Sequence, residues 1–249
     1  MNAHAPTVAR TTLRRVLSVG LVALACHGCA TQQAPDPRDP LEGFNRGVFT
    51  FNEGVDQAIL KPVATIYRDL TPALVRTGVG NFLGNLDDAW SFVNSLLQFK
   101  LRDAVDNFMR FGVNSTFGLF GVLDVAGEMQ IERHSEDFGQ TLGAWGFGPG
   151  AYLVLPIFGP STLRDTAAMP VDFGGDLAAR AGDISTRNSL RVLNVIDTRA
   201  NLLGVSSALD EVALDKYSFA RDAFLQRRRN AVYDGNPPDK ESDAGSDIR

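Results

Sequence analysis

Apolar side chains recur at helical spacing along most of the chain. Phe44, Val48, Phe51, Val55 and Ile59 stand 4, 3, 4 and 4 residues apart, which places them on one helical face. Asn45, Asn52, Glu53 and Asp56 fall away from that face. Pro62 is expected to end this helix, because proline lacks an N–H and its ring collides with the preceding turn. Thr71-Pro72 then supplies a helix start. A longer stripe follows at Val75, Val79, Phe82, Leu86, Trp90, Val93 and Leu97, interrupted by Gly78, Gly80 and Gly84. A third helix is predicted from Leu101 to Val113. Nearer the C-terminus, Leu193, Ile196, Ala200 and Leu203 form one stripe, and Leu209, Ala213, Tyr217, Ala220 and Phe224 form another. The pattern predicts an all-α, or almost all-α, domain over residues 39–234.

Residues 117–160 read differently. They are rich in Gly and Phe, and Gly and Pro punctuate them into short helices and turns. The segment is too apolar for a solvent loop, so it must pack in a core, line a cavity or touch lipid. After residue 25 no run reaches 18 consecutive apolar residues, so no conventional transmembrane helix is expected. Amphipathic helices with wide aromatic faces can lie in a membrane interface. They can also form a bundle with their stripes turned inward, and periodicity by itself does not choose between the two.

The ends add a location. Arg10, Arg14 and Arg15 precede the apolar run Val16–Ala25, which is too short to span a hydrocarbon core of roughly 30 Å. A basic start, a short apolar stretch and small residues describe a secretory signal over residues 1–25. The two cysteines of the chain, Cys26 and Cys29, follow at once and read as a bacterial lipidation site. Ala23-Leu24-Ala25 favours Cys26, while Gly28-Cys29-Ala30 keeps Cys29 as the alternative. Neither is followed by Asp, which points toward an outer membrane. Residues 26–38 form a polar, proline-rich tether beyond the lipid, and residues 235–249 read as a disordered tail.

Loss of residues 1–25 takes three arginines and no acid, leaving 21 basic against 29 acidic residues, a net charge of −8. Such a balance argues against nucleic acid, which asks for basic patches. Chemistry is sparse as well. His134 is the single histidine of the domain over residues 39–234, and it sits in the charged run Glu132–Asp137. No serine lies in a Gly-x-Ser-x-Gly elbow, and His/Cys metal sites fail for want of ligands. Asp87 and Asp88 are adjacent, so on a helix they diverge and read as surface charges. The Gly78-x-Gly80 and Gly146-x-Gly148-x-Gly150 runs lack the spacing and the Lys-Ser/Thr of nucleotide loops. Arg227, Arg228 and Arg229 suit the end of a last helix. No enzyme and no cofactor is expected.

Several blocks in order carry a family resemblance. Asp39-Pro-Leu-Glu-Gly-Phe-Asn-Arg46 with Phe49, Phe51 and Asn52 is the first; Lys61-Pro62-Val63-Ala64 with Tyr67-Arg68-Asp69 and Pro72 is the second. Asn81-Phe82-x-Gly84-Asn85-Leu86 follows, then Phe138-Gly139-x-Thr141-Leu142-Gly143 leading to Leu155-Pro156, Gly159 and Thr162-Leu163-Arg164-Asp165. Asp197-Thr198-Arg199-Ala200 and the run from Asp215 to Arg227 complete the set. Together they resemble the MlaA (VacJ) lipoproteins over residues 38–233. The resemblance implies a ring-like bundle of amphipathic helices lying in the periplasmic leaflet of a Gram-negative outer membrane. It implies a central amphipathic channel that removes misplaced phospholipid, a trimeric porin as partner, and a soluble periplasmic carrier that receives the lipid. It places Phe44, Asn45, Phe49, Phe51 and Asn52 on the helix that gates or steadies the ring. It places Gly143, Gly146, Gly148, Gly150, Thr162, Arg164 and Asp165 near the channel. The alternative is a structural or adaptor lipoprotein that binds a porin without moving lipid.

Overall fold

The computed structural model describes residues 36–212 and 214–238, without the side chains of residues 208–212. The predicted signal, both cysteines and most of the tail therefore lie outside the described residues. The chain divides into two units, Met1–Pro40 and Leu41–Arg249. In the first, residues 36–40 make a turn in which the Asp39 N–H donates to the Asp36 carbonyl at 2.9 Å.

The second unit is mainly helical. Helix α1 (Glu42–Val55) runs through a π-helical turn (Asp56–Leu60) into α2 (Lys61–Leu70) without a break. Pro62 does not end the helix as expected. The wider π turn, in which the Lys61 N–H reaches back to the Asp56 carbonyl, makes room for the proline ring and its missing donor. Helices α3 (Ala73–Leu97) and α4 (Leu101–Phe117) pack against each other, and α3 continues straight through its three glycines. Short α5 (Val125–Glu128) and α6 (Phe138–Ala144) come next, each capped by an aspartate: Asp124 accepts from the Gly127 N–H and Asp137 from the Gln140 N–H.

Strands β1 (Tyr152–Leu155) and β2 (Gly159–Thr162) then form an antiparallel hairpin, with Tyr152 opposite Thr162 and Leu155 opposite Gly159. Short helices and turns were expected across this region; the hairpin is an addition to an otherwise helical fold. Helix α7 (Leu163–Gly175) starts on the Thr162 cap, followed by a 3-10 turn (Ala178–Arg180), α8 (Ile184–Val212) and α9 (Lys216–Val232), capped by Asp215. That cap divides the predicted stripe from Leu209 to Phe224 between two helices. No helix among the described residues is long and apolar enough to cross a membrane.

Two small apolar clusters hold the unit. Ala64 and Tyr67 of α2 meet Ala200 and Leu203 of α8. Tyr152 and Val154 of the hairpin meet Tyr217 of α9, with Val48, Phe49, Phe224 and Leu225 around them. Elsewhere the polarity is inverted. Asn85, Asp88, Ser91, Asn94 and Ser95 of α3 are buried, as are Asn107, Arg110 and Asn114 of α4. Phe44, Phe51, Ile59, Leu74, Val105 and Phe108 are exposed, Leu74 by 88%. An ordinary globular domain does the opposite with most of its large apolar side chains. The stripes read along α1 and α3 are real, but much of their surface faces outward.

Candidate functional site

The buried polar seam is built by helical periodicity. Asn85, Asp88, Ser91 and Asn94 recur every three residues on α3; Asn107, Arg110 and Asn114 recur at 3 and 4 on α4. Each stripe faces the other and the segment between Asp124 and Thr141. Arg110 donates to the Asp124 carboxylate at 2.7 Å and to the Ile131 carbonyl at 2.6 Å. Arg133 reaches Asp88 at 2.8 and 3.0 Å, and Arg110 lies 3.5 Å from the same carboxylate. Burial still outweighs both arginines and raises the Asp88 carboxyl above its usual range. Asn107 exchanges two hydrogen bonds with the His134 backbone, Asn114 accepts from the Ala126 N–H, and Ser91 bonds the Glu136 backbone. Unpaired polar groups at these positions would cost about 1–3 kcal/mol each, so the network is nearly all spoken for by the chain itself.

Asp87 is different. Its side chain reaches water and makes no hydrogen bond or ion pair within the described residues, yet protein closes around it. That burial comes first, and neighbouring Asp176 and Asp88 add to it, pushing the carboxyl up to about 6. Nearby, Trp90 donates its indole N–H to Asp172 at 2.8 Å, and Phe138 donates its backbone N–H to the same oxygen. Gly84 lies under Arg133; a Cβ there would sit 2.6 Å from the guanidinium. Acidic, basic and indole groups thus gather along one side of α3.

The sequence candidates on α1 fall into two sets. Phe44 and Phe51 point outward, each more than half exposed. Asn45, fully buried, donates to the Tyr152 carbonyl at 3.0 Å and accepts from the Val154 N–H at 2.9 Å. Asn52 repeats the pattern one stride further, donating to the Leu155 carbonyl at 2.9 Å and accepting from the Ile157 N–H at 2.8 Å. Asn45 therefore pairs with one edge of β1 as a neighbouring strand would, and Asn52 ties the end of β1 to the loop that follows it. Phe49 stands edge-on to Tyr217, with ring centroids 5.6 Å apart.

The second group divides as well. Gly146 and Gly148 have open space around them, and Gly146 and Gly150 take positive φ. Gly143 is hemmed by Arg164 and Val232, so a side chain there would collide. Thr162 caps α7 through the Asp165 N–H at 3.2 Å, and Arg164, mostly buried, donates to Asp165. Asp165 also meets Arg228 at 2.8 and 3.0 Å, and Arg228 grips Asp137 with its other face. That clamp joins α6, α7 and α9. Arg228 carried no site assignment from the sequence, where it was one of three adjacent arginines. His134 lies 3.4 Å from Asp106. Asp103, Glu136 and Asp234 come within 4.8 Å of one another, and Lys100 bonds Glu136 and Asp234.

The family profile described as MlaA lipoprotein matches residues 37–231. The chain is similar to the intermembrane phospholipid transport system lipoprotein MlaA of Escherichia coli strain K12, 37% identical over 212 residues, covering 80% of this chain and 81% of that one. Its counterpart in Haemophilus influenzae is 31% identical over 253 residues, covering 94% and 97%. An uncharacterized protein of Rickettsia bellii is 34% identical over 195 residues, covering 78% and 76%. A solved structure reported as "Structural basis for maintenance of bacterial outer membrane lipid asymmetry" matches with a TM-score of 0.70 and 36% identity, over 78% of this chain and 98% of that one.

Proposed function

This chain belongs to the MlaA lipoprotein family, and we propose that it removes misplaced phospholipid from the outer leaflet of an outer membrane. The observation that carries the reading is the inverted polarity. Apolar faces of α1, α3 and α4 turn outward while asparagine, serine and ion pairs turn inward. Such a body is stable with hydrocarbon around it and offers a polar route within. A headgroup crossing hydrocarbon unaided loses its hydration at a cost of several kcal/mol or more. A route beside Asp87, Arg133 and Trp90 supplies polar partners instead, while acyl chains follow the apolar side. No covalent bond changes in this process, so no catalytic residue is required.

The finer parts of the proposal follow from the same reading. Cys26, or alternatively Cys29, carries the acyl chains that hold the protein on the periplasmic leaflet, at about 0.8 kcal/mol per buried methylene. A trimeric porin holds the helical body at the leaflet boundary, and a soluble periplasmic carrier takes the lipid onward. Phe44 and Phe51 meet surrounding lipid, and the Gly143–Gly150 segment with Thr162, Arg164 and Asp165 borders the passage.

The test is the surface exposure of outer-leaflet phospholipid in cells lacking this chain, with and without a plasmid copy. Accumulation that the copy reverses supports lipid removal. Absence of accumulation, with the protein expressed and lipidated in the parent, would overturn it and leave a porin-binding adaptor without transport.

A further inference from the structure

Among the described residues, six that are not glycine have positive φ: Phe99, Leu119, Phe120, Gln130, Ile157 and Asp234. Asp in that region is common, because its short polar side chain bonds locally. Four of the six are large and apolar, with φ of 60° at Phe99, 54° at Leu119, 59° at Phe120 and 70° at Ile157. A bulky side chain in this conformation is an outlier, and a β-branched one more so. The same four are among the more exposed apolar residues of the chain: 84%, 66%, 79% and 74%.

Each occupies a place where glycine is the ordinary choice. Phe99 follows the end of α3, where the Lys100 N–H bonds the Ser95 carbonyl and the Phe99 N–H bonds the Leu96 carbonyl; glycine commonly takes this left-handed position. Leu119 and Phe120 are consecutive left-handed residues just past α4. Ile157 sits in the three-residue loop of the hairpin, where a left-handed residue is again usually glycine. The chain does use glycine for such conformations elsewhere, at Gly121, Gly146, Gly150, Gly159 and Gly235. Strained backbone combined with an exposed apolar side chain weakens folding and solubility together. Local rules broken in this way mark sites kept for function.

We infer that these turns are membrane wedges: Phe99, Leu119, Phe120 and Ile157 enter the acyl-chain region and fix the depth of the helices they join. The partner is bilayer hydrocarbon. Leu101, Val105 and Phe108 extend the exposed apolar surface along α4 from Phe99 toward Phe120, so the wedges continue the face that meets lipid. This inference rests on the membrane-embedded reading above.

The test uses the full lipidated chain in vesicles of phosphatidylethanolamine and phosphatidylglycerol whose acyl chains carry bromine, a short-range quencher of indole. Phe99→Trp, Phe120→Trp and Ile157→Trp are compared with Val105→Trp on the α4 face and Gln130→Trp in a polar left-handed turn. The emission of Trp90 and Trp145 in the unsubstituted chain is subtracted. The three turn probes are expected to lose more emission than Gln130→Trp does. Turn probes that match Gln130→Trp while Val105→Trp is quenched would overturn the wedges and leave the embedding intact. If Val105→Trp is unquenched too, the embedding falls, and the wedges with it. A chain carrying Phe99→Gly, Phe120→Gly and Ile157→Gly relieves the strain and keeps the fold. In that background the Val105→Trp probe should lose part of its quenching as the helix rides shallower; unchanged quenching would overturn the anchoring role.

Discussion

Replacing Arg228 by Met removes four hydrogen bonds at once, two to Asp137 and two to Asp165. The side chain of Asp165 is 11% exposed and that of Arg228 16%, so Arg228→Met leaves a nearly buried carboxylate to Arg164 alone. Asp137 keeps about a third of its surface in water, which softens its share. Breaking a buried pair from one side costs about 3–5 kcal/mol; with the partial exposure, about 3 kcal/mol is expected. The pH dependence carries a sign. Burial raises the Asp137 carboxyl, but the Arg228 hydrogen bonds override it and hold the carboxyl below its usual range. Asp137 therefore contributes stability above the ordinary aspartate range, and that contribution is lost as pH falls through its depressed value. Without Arg228 the Gln140 hydrogen bonds alone oppose the burial, the carboxyl moves up, and the gap in stability between parent and variant should narrow on acidification. The assay is guanidinium unfolding in mild detergent, followed by far-ultraviolet circular dichroism at pH 7 and pH 5. A drop in midpoint of roughly 0.5–1 M is expected at pH 7. Adding Asp137→Asn to the variant should recover part of it, since a neutral group costs less to leave unpaired. A midpoint equal to that of the parent would refute the reasoning, and so would a loss that grows on acidification.

Other outcomes follow from single contacts. Asn45→Ala removes the bonds to the Tyr152 carbonyl and the Val154 N–H; a loss of about 2 kcal/mol is expected, and hydrogen exchange should show faster exchange at the Val154 amide. Gly121→Ala places a Cβ 2.6 Å from that of Asn85 at a φ of +95°, so its unfolding midpoint should fall well below that of Gly148→Ala, where space is open. Asp87→Asn should raise the unfolding midpoint at pH 7, where the native carboxylate is held charged against burial and its acidic neighbours. The advantage should shrink as pH falls through about 6 and vanish below the ordinary aspartate range; equal gains at both ends would count against this account of Asp87.

Helix positions were largely legible in the sequence because a period of 3.6 residues survives whichever side is buried. The direction of burial was not. Phe44, Val48, Phe51, Val55 and Ile59 form a stripe under either solvent, and only the outward placement of Phe44, Phe51 and Ile59 distinguishes lipid from water around it. The complementary signal was present: Asn85, Asp88, Ser91 and Asn94 keep strict helical spacing, as do Asn107, Arg110 and Asn114. Polar stripes of that regularity read as solvated faces by default, and here they form the interior. Pro62 was misplaced as a terminator because a single π turn leaves no periodic trace in so short a stretch. The hairpin was hidden for another reason. Its strands are four residues long, β2 holds Gly159 and Pro160, and β1 is also held by asparagine side chains more than 100 residues away. The α1 candidates were found through family resemblance, and the Arg228 clamp escaped because three adjacent arginines look alike until one of them meets its aspartates.

Asn45 and Asn52 make α1 a ruler laid along a strand. Seven helical residues rise about 10.5 Å, and three extended residues advance about 10 Å, so two amides two turns apart meet one backbone station on β1 and a second where β1 passes into its loop. One residue added or removed between the asparagines would swing the second amide through about 100°, and α1 would bond the hairpin backbone at a single point. Length between these positions, more than the identity of the residues there, is what the arrangement cannot vary.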